Sequence, residues 1–224
     1  MADSERSPSL GHYNRGAEEF KKKNYDESIR RFKMAVDIDP KFYRAWAYLA
    51  MAYAAAGKLD EAIEAYRKCI DVEPSYHKAY NNIGELYRRK GLLDYAAMVF
   101  KMATEIDASH PHYFYNLGIT YFDIGMLTQA EEALAQAHAK EPGDFDYASD
   151  LAQVRYNLKK FEAAVQSVMG FLKAAPEHDR AIEMKARLKM LVRRAEEEKK
   201  AAATAPPPEP KKSTTRIEPI EPVA

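Results

Sequence analysis

Residues 43–76 read YRAWAYLAMAYAAAGKLDEAIEAYRKCIDVEPSY. Trp46, Leu49, Ala50 and Tyr53 stand at i, i+3, i+4 and i+7, the apolar stripe of an amphipathic helix. Gly57 then interrupts the pattern, because glycine takes the positive φ that ends a helix at no steric cost. A second stripe follows in Leu59, Ala62, Ile63, Tyr66, Cys69 and Ile70, and Pro74 stops it by lacking an N–H and clashing with the preceding turn. The stretch therefore predicts two antiparallel helices joined by a tight turn.

Outward from this segment the same residues return every 34 positions. Pro40, Pro74, Ala108, Pro142 and Pro176 mark the ends of second helices. Gly16, Ala50, Gly84, Gly118 and Ala152 form one small-residue column, and Ser28, Ala62, Ala96, Ala130 and Ala164 form another. A third runs through Ala35, Cys69, Ala103 and Ala137 until Phe171 breaks it. Large apolar residues keep step: Trp46, Tyr80, Phe114; Leu49, Ile83, Leu117, Leu151; Phe32, Tyr66, Phe100, Leu134, Val168. A fixed period of this length is the signature of a repeat array, whose units bury their apolar faces by stacking. The small columns mark places where paired helices approach too closely for larger side chains.

At these residues the chain resembles the tetratricopeptide-repeat (TPR) family, whose unit carries an aromatic, Leu-Gly, Tyr, Ala, an aromatic, Ala and a closing Pro. Residues 43–76 match at Trp46, Leu49-Ala50, Tyr53, Ala62, Tyr66, Cys69 and Pro74. The next two units match at Tyr80, Ile83-Gly84, Tyr87, Ala96, Phe100 and Ala103, and at Phe114, Leu117-Gly118, Tyr121, Ala130, Leu134, Ala137 and Pro142. The end units depart: Arg15 replaces Leu in the first, and Ala148, Arg155 and Phe171 occupy aromatic, Tyr and small positions in the fifth. The resemblance implies an all-α fold, a right-handed α-solenoid of helix-turn-helix units. The expected layout is a disordered N-terminus (1–8) and five repeats over 9–178 (9–42, 43–76, 77–110, 111–144, 145–178). A capping helix (179–200) and a disordered Pro-rich tail (201–224) complete it. The capping helix rests on Ala181, Met184, Leu188, Leu191 and Ala195. The tail holds six of the chain's twelve prolines and no aromatic residue, too little apolar surface to offset its ordering entropy.

Charge and composition exclude several functions. Lys+Arg and Asp+Glu are 34 each, so no global bias draws the chain to nucleic acid. One cysteine excludes an internal disulfide. No apolar run near ~20 residues indicates membrane insertion, and residues 1–10 lack the apolar core of a signal peptide. The expected location is the cytoplasm. No phosphate loop and no nucleophile–base motif is found. Cys69 reads as a buried small residue, and His110 and His112 as solvated loop residues without a ligand-spaced Cys, Asp or Glu. The sequence therefore predicts a non-enzyme with no cofactor and no metal.

The resemblance implies that the first helices line a concave groove for an extended peptide or a helix of another protein. By helical phase the groove residues are Tyr13, Asn14, Tyr48, Met51, Lys78, Asn81, Asn82, Glu85, Arg88, Arg89, Tyr115, Asn116, Ile119, Asp123, Asp150 and Gln153, with Ala17, Phe20, Arg44, Ala47, Phe122, Asp146, Ser149 and Tyr156 around them. Asn14, Asn82 and Asn116 share one repeat position and resemble the asparagine ladder of the O-GlcNAc transferase superhelix, where amides pair with a peptide backbone; asparagine is also common there in ordinary repeats. Lys78 alone matches the clamp by which some relatives hold chaperone C-terminal carboxylates, so that role is set aside. Lys78, Arg88 and Arg89 against Asp146 and Asp150 predict a partner with an acidic group near repeat three and a basic one near repeat five. Two other readings stand beside this adaptor: a self-assembling structural protein forming homo-oligomers, and an adaptor whose own tail occupies the groove.

Overall fold

The computed structural model describes residues 8–204; the expected disorder of 1–7 and of 205–224 concerns segments outside the described residues. The described residues form eleven α-helices and no strand. They pair as α1 (Pro8–Lys21) with α2 (Tyr25–Ile38), α3 (Tyr43–Ala55) with α4 (Leu59–Val72), and α5 (His77–Arg89) with α6 (Leu93–Ile106). The series continues with α7 (Pro111–Ile124) and α8 (Leu127–Lys140), α9 (Phe145–Asn157) and α10 (Phe161–Ala174), and closes with α11 (Ala181–Thr204). Each helix packs against the next along the chain, so the molecule is an α-solenoid. Pro8, expected before the array, opens α1, where its missing N–H is not needed. Helix α11 also continues four residues past the boundary drawn at 200, through the helix-favouring run Ala201–Thr204.

The turn inside each pair is one motif repeated five times. The N–H of Gly57 bonds the Ala54 carbonyl at 3.2 Å, and that of Lys58 the Tyr53 carbonyl at 2.9 Å, closing the first helix with a left-handed residue. Gly91 and Gly125 stand at the same position with φ 73° and 87°. In the outer repeats the position holds Lys23 and Lys159, with φ 61° and 59°. The bonding pattern is kept there, with Lys160 N–H on the Arg155 carbonyl at 2.8 Å.

The first small column has a measurable cause. A Cβ built on Gly84 would sit 2.6 Å from Phe100, one on Gly118 2.6 Å from Leu134, and one on Gly16 2.9 Å from Phe32. Phe32, Phe100 and Leu134 are fully buried, each burial worth about 1.5–3 kcal/mol, so the glycines let the second helix seat its largest side chain against the first. Between repeats, Trp46 Nε1 donates to the Pro40 carbonyl at 2.9 Å and the Tyr80 hydroxyl to the Pro74 carbonyl at 3.1 Å. The Trp or Tyr of each of these units thus ties its first helix to the turn it follows.

The core is divided along the chain. One cluster of buried residues runs from Ile29 to Ala133, and a second joins Phe145, Ala148, Val168 and Phe171 to Met184 and Leu191 of α11. Smaller clusters around Leu134 with Leu151, and Phe114 with Tyr147, bridge the two. In the fifth repeat Arg155 stands where Tyr53, Tyr87 and Tyr121 stand in others. Its guanidinium donates to Glu131 at 3.1 Å, to the Ala163 carbonyl at 3.0 Å and to the Ser167 hydroxyl at 2.7 Å, a polar plug replacing an aromatic one.

Candidate functional site

The first helices α3, α5, α7 and α9 carry most of the groove positions, and α11 stands next in their row. Two clefts open along that row. One, of about 200 Å³, is lined by Phe20, Met51, Ala54, Tyr66, Asn82, Glu85, Leu86 and Arg89. The other, of about 210 Å³, is lined by Ile119, Phe122, Asp123, Asp150, Gln153 and Val154. Each has an apolar floor and a charged rim, Arg89 with Glu85 in the first and two carboxylates in the second.

The expected site residues divide into exposed and inward-facing groups. Asn14, Lys78, Glu85, Arg89, Asp123 and Gln153 are exposed. Tyr13 instead packs into α2 and α3, with its ring 5.0 Å from Phe42 and 5.2 Å from Tyr48. Burial and the neighbouring Tyr48 push its hydroxyl up to about 12. Asn81 and Asn116 are buried, 5% and 6% exposed, and the Asn116 amide donates to the Asn81 Oδ1 at 2.9 Å. Asn82 donates to the Tyr66 hydroxyl at 2.8 Å. Of the expected ladder, then, only Asn14 is fully open, while Asn82 and Asn116 are engaged inside the protein.

The charged positions are also partly paired. Arg88 Nη2 lies 3.2 Å from Asp123 across repeats three and four, and Arg180 Nη1 lies 3.5 Å from Asp146. Lys78 and Arg89 form no ion pair among the described residues. The Tyr115 hydroxyl donates to Asp150 at 2.8 Å, and its ring lies 4.9 Å from Tyr147. Burial raises Asp150 above the usual carboxylate range, against the opposing effect of the Tyr115 hydrogen bond. From α11, Arg187 donates to Ser149 at 2.7 Å and to Gln153 at 2.8 Å, so the expected capping helix adds a cation to the row.

A cleft of about 500 Å³ lies elsewhere, between α2, α3 and α4, and is lined by Lys33, Leu49, Tyr53 and Ala65 among others. The same positions two repeats on, Lys101, Leu117, Tyr121 and Ala133, line another of about 320 Å³. These furrows recur with the repeat, as do the two clefts on the row of first helices, where Met51, Asn82 and Glu85 stand two repeats before Ile119, Asp150 and Gln153; the furrows lie outside the expected groove. Cys69 is buried and its thiol is pushed up to about 12 by burial, which removes the thiolate a nucleophile needs. His110, read from sequence as a solvated loop residue, stands against Asp107 and His77, a grouping that sequence spacing does not display.

Comparison with known proteins agrees with this architecture. The profile of the Cilia and flagella-associated protein 70 C-terminal domain matches residues 18–146, and that of the Tetratricopeptide repeat matches residues 115–182. Among solved structures, MamA is similar at TM-score 0.68 and 20% identity, over 77% of this chain and 93% of that one. The pilF protein of Pseudomonas aeruginosa gives 0.64 and 21%, over 87% of each chain. YrrB, described as a TPR protein with an unusual peptide-binding site, gives 0.64 and 15%, over 82% of this chain and 95% of that one. No curated protein sequence matches the chain. Among the described residues no helix is long and apolar enough to cross a membrane.

Proposed function

The chain belongs to the tetratricopeptide-repeat family, in the group of the Cilia and flagella-associated protein 70 C-terminal domain, and from that premise we propose that it is a cytoplasmic adaptor that holds a peptide segment or helix of a partner protein along the row of first helices, without catalysis. The observation that carries this reading is the pair of clefts with apolar floors and charged rims. Apolar surface rimmed by charge is where interfaces form, and aromatic, Met and Arg residues are enriched at their cores. The peptide site described for the YrrB structure lends support by analogy of fold alone.

The partner chemistry follows from the rims and from Lys78, on the same helix as Arg89. Lys78 and Arg89 favour an acidic group beside repeat three. Asp123 and Asp150 favour a basic group beside repeats four and five, although Arg88 already offsets part of that charge. Two apolar side chains spaced along one segment would fill the cleft floors at Met51 and Ile119. The test is affinity purification with three forms of the protein: wild type, Met51→Asp with Ile119→Asp, and Met98→Asp on the exposed face of α6. Partners lost with the first variant and kept with the second support the groove. Partners kept with the first variant overturn it.

Self-association is a second reading, favoured by the exposed apolar run Tyr95, Met98, Met102 and Ile106 along α6, with Tyr95 56% and Met98 55% exposed. Sedimentation at rising concentration tests it: a monomer throughout rejects the reading. Occupation of the groove by the protein's own tail concerns residues outside those described.

A further inference from the structure

In three of the repeats the first residue meets the last across the top of the helix pair. Tyr43 and Tyr76 have ring centroids 5.2 Å apart, and Phe145 and His178 6.1 Å apart. In repeat three both partners are imidazoles: His77 and His110 lie 4.9 Å apart. The acid just before the closing turn normally serves its own turn, as when Asp39 Oδ1 accepts the Lys41 N–H at 3.0 Å and Glu73 Oε1 the Ser75 N–H at 3.3 Å. Asp107 does the same with one oxygen, accepting the N–H and hydroxyl of Ser109 on Oδ1 at 2.9 and 2.6 Å. Its other oxygen points between the two histidines, 3.1 Å from His110 Nδ1 and 3.5 Å from His77 Nε2.

We propose that His77 Nε2, Asp107 Oδ2 and His110 Nδ1 bind one divalent transition-metal ion of the zinc class at the joint between repeats three and four, with water in the fourth position. Two imidazoles and one carboxylate are the donor set that suits such an ion rather than calcium or magnesium. Zinc bonds of about 2.0–2.2 Å place ligand atoms of a tetrahedron about 3.4 Å apart. Two of the three edges, 3.1 and 3.5 Å, are near that length, and all three atoms lie within 4.8 Å of one another. Outer contacts hold the ligands in place. The Tyr113 hydroxyl sits 2.6 Å from His77 Nδ1, and with Nδ1 carrying the proton, Nε2 keeps its lone pair for the metal. The His110 ring stacks on Tyr113 at 4.9 Å and 12°, and Ser109, whose hydroxyl also lies 3.1 Å from His110 Nδ1, fixes the carboxylate. Side-chain exposures of 21%, 26% and 41% for His77, Asp107 and His110 let an ion enter without opening the fold. His112 takes no part: its Nε2 faces Asn116 at 3.1 Å and Glu85 at 3.8 Å.

The test uses the full chain, free of any histidine tag, stripped with chelator and titrated with Zn²⁺ by calorimetry and with Co²⁺ by absorption. The expected result is one equivalent per chain, with the visible bands of tetrahedral cobalt. His77→Gln and His110→Gln should each weaken affinity about tenfold or more, while His112→Gln leaves it unchanged. Zn²⁺ should raise the thermal midpoint of the wild type and not that of His110→Gln. Because His110 is the most exposed of the three, that variant keeps the fold even if His77→Gln does not. No saturable uptake, a stoichiometry other than one, wild-type affinity in His110→Gln, or an equal loss in His112→Gln would each overturn the site. None of these outcomes bears on the groove, which lies on other residues.

Discussion

At the scale of single residues, two glycine columns make opposite demands, and both can be tested by substitution. Alanine in place of a helical glycine ordinarily gains up to about 1 kcal/mol of propensity. At Gly84 the added Cβ would stand 2.6 Å from the ring of Phe100, which is fully buried and has nowhere to go. Overpacking of that kind costs about 1–3 kcal/mol, so Gly84→Ala should lower stability in urea despite the better propensity. At the turns the constraint is backbone angle. Gly91 has φ 73° with nothing near its Cβ position, and Gly91→Ala should cost about 1 kcal/mol from the left-handed conformation alone. Lys159 already bears that strain at φ 59°. Lys159→Gly relieves it and loses some chain entropy, for a net gain of about 0.5 kcal/mol. A destabilised Lys159→Gly protein would show that the left-handed turn is not what limits the fifth repeat.

At the scale of elements, legibility followed how local the cause was. The stripe Trp46, Leu49, Tyr53 and the stop at Pro74 are properties of one helix each, and they were readable from periodicity alone. Whether Asn116 faces solvent depends on how α5 and α7 rotate against each other, and phase along one helix does not determine it; hence a residue expected in the groove is buried against Asn81. The grouping of His77 with Asp107 and His110 was hidden for the same reason, since it closes only when α5 and the turn before α7 meet. The seam between α8 and α10 carries a further consequence. His138 is half-buried, its Nδ1 has no partner among the described residues, and its Nε2 lies 3.1 Å from the Cβ position of Gly170. Burial, and then the charge of Arg155, hold its pKa below the usual imidazole value, with Asp144 opposing. The unfolded chain therefore takes up a proton near pH 6.5 that the folded chain resists. Stability from this group is complete above that pH and is lost as pH falls through it. The thermal midpoint should drop between pH 7.5 and 5.5, measured in chelator, and the drop should be smaller in His138→Gln. It should not vanish, because burial lowers His77 as well.

At the scale of the whole molecule, the array is a row of neighbours, and stability in such a row is a sum of unit and interface contributions. The buried core of the row divides at one link. The large core ends at Ala133, the second begins at Phe145, and small clusters join them. On the far side of the link, Met184 and Leu191 of α11, both fully buried, cover Phe171 and Val168, which would otherwise face water. Met184→Ala removes apolar contacts worth about 2–5 kcal/mol in a closely packed site, but the loss belongs to the terminal unit. Hydrogen exchange should therefore show faster exchange in α9, α10 and α11 with protection in α3 to α6 unchanged. Phe100→Ala, placed inside the large core, should instead loosen α3 to α8 and leave α10 and α11 nearer to their native protection. The divided core gains support if the two substitutions act on different stretches of the chain. Uniform loss of protection along α1 to α11 from Met184→Ala would mean that the joint at repeats four and five transmits as strongly as any other, and that the array unfolds as one cooperative unit.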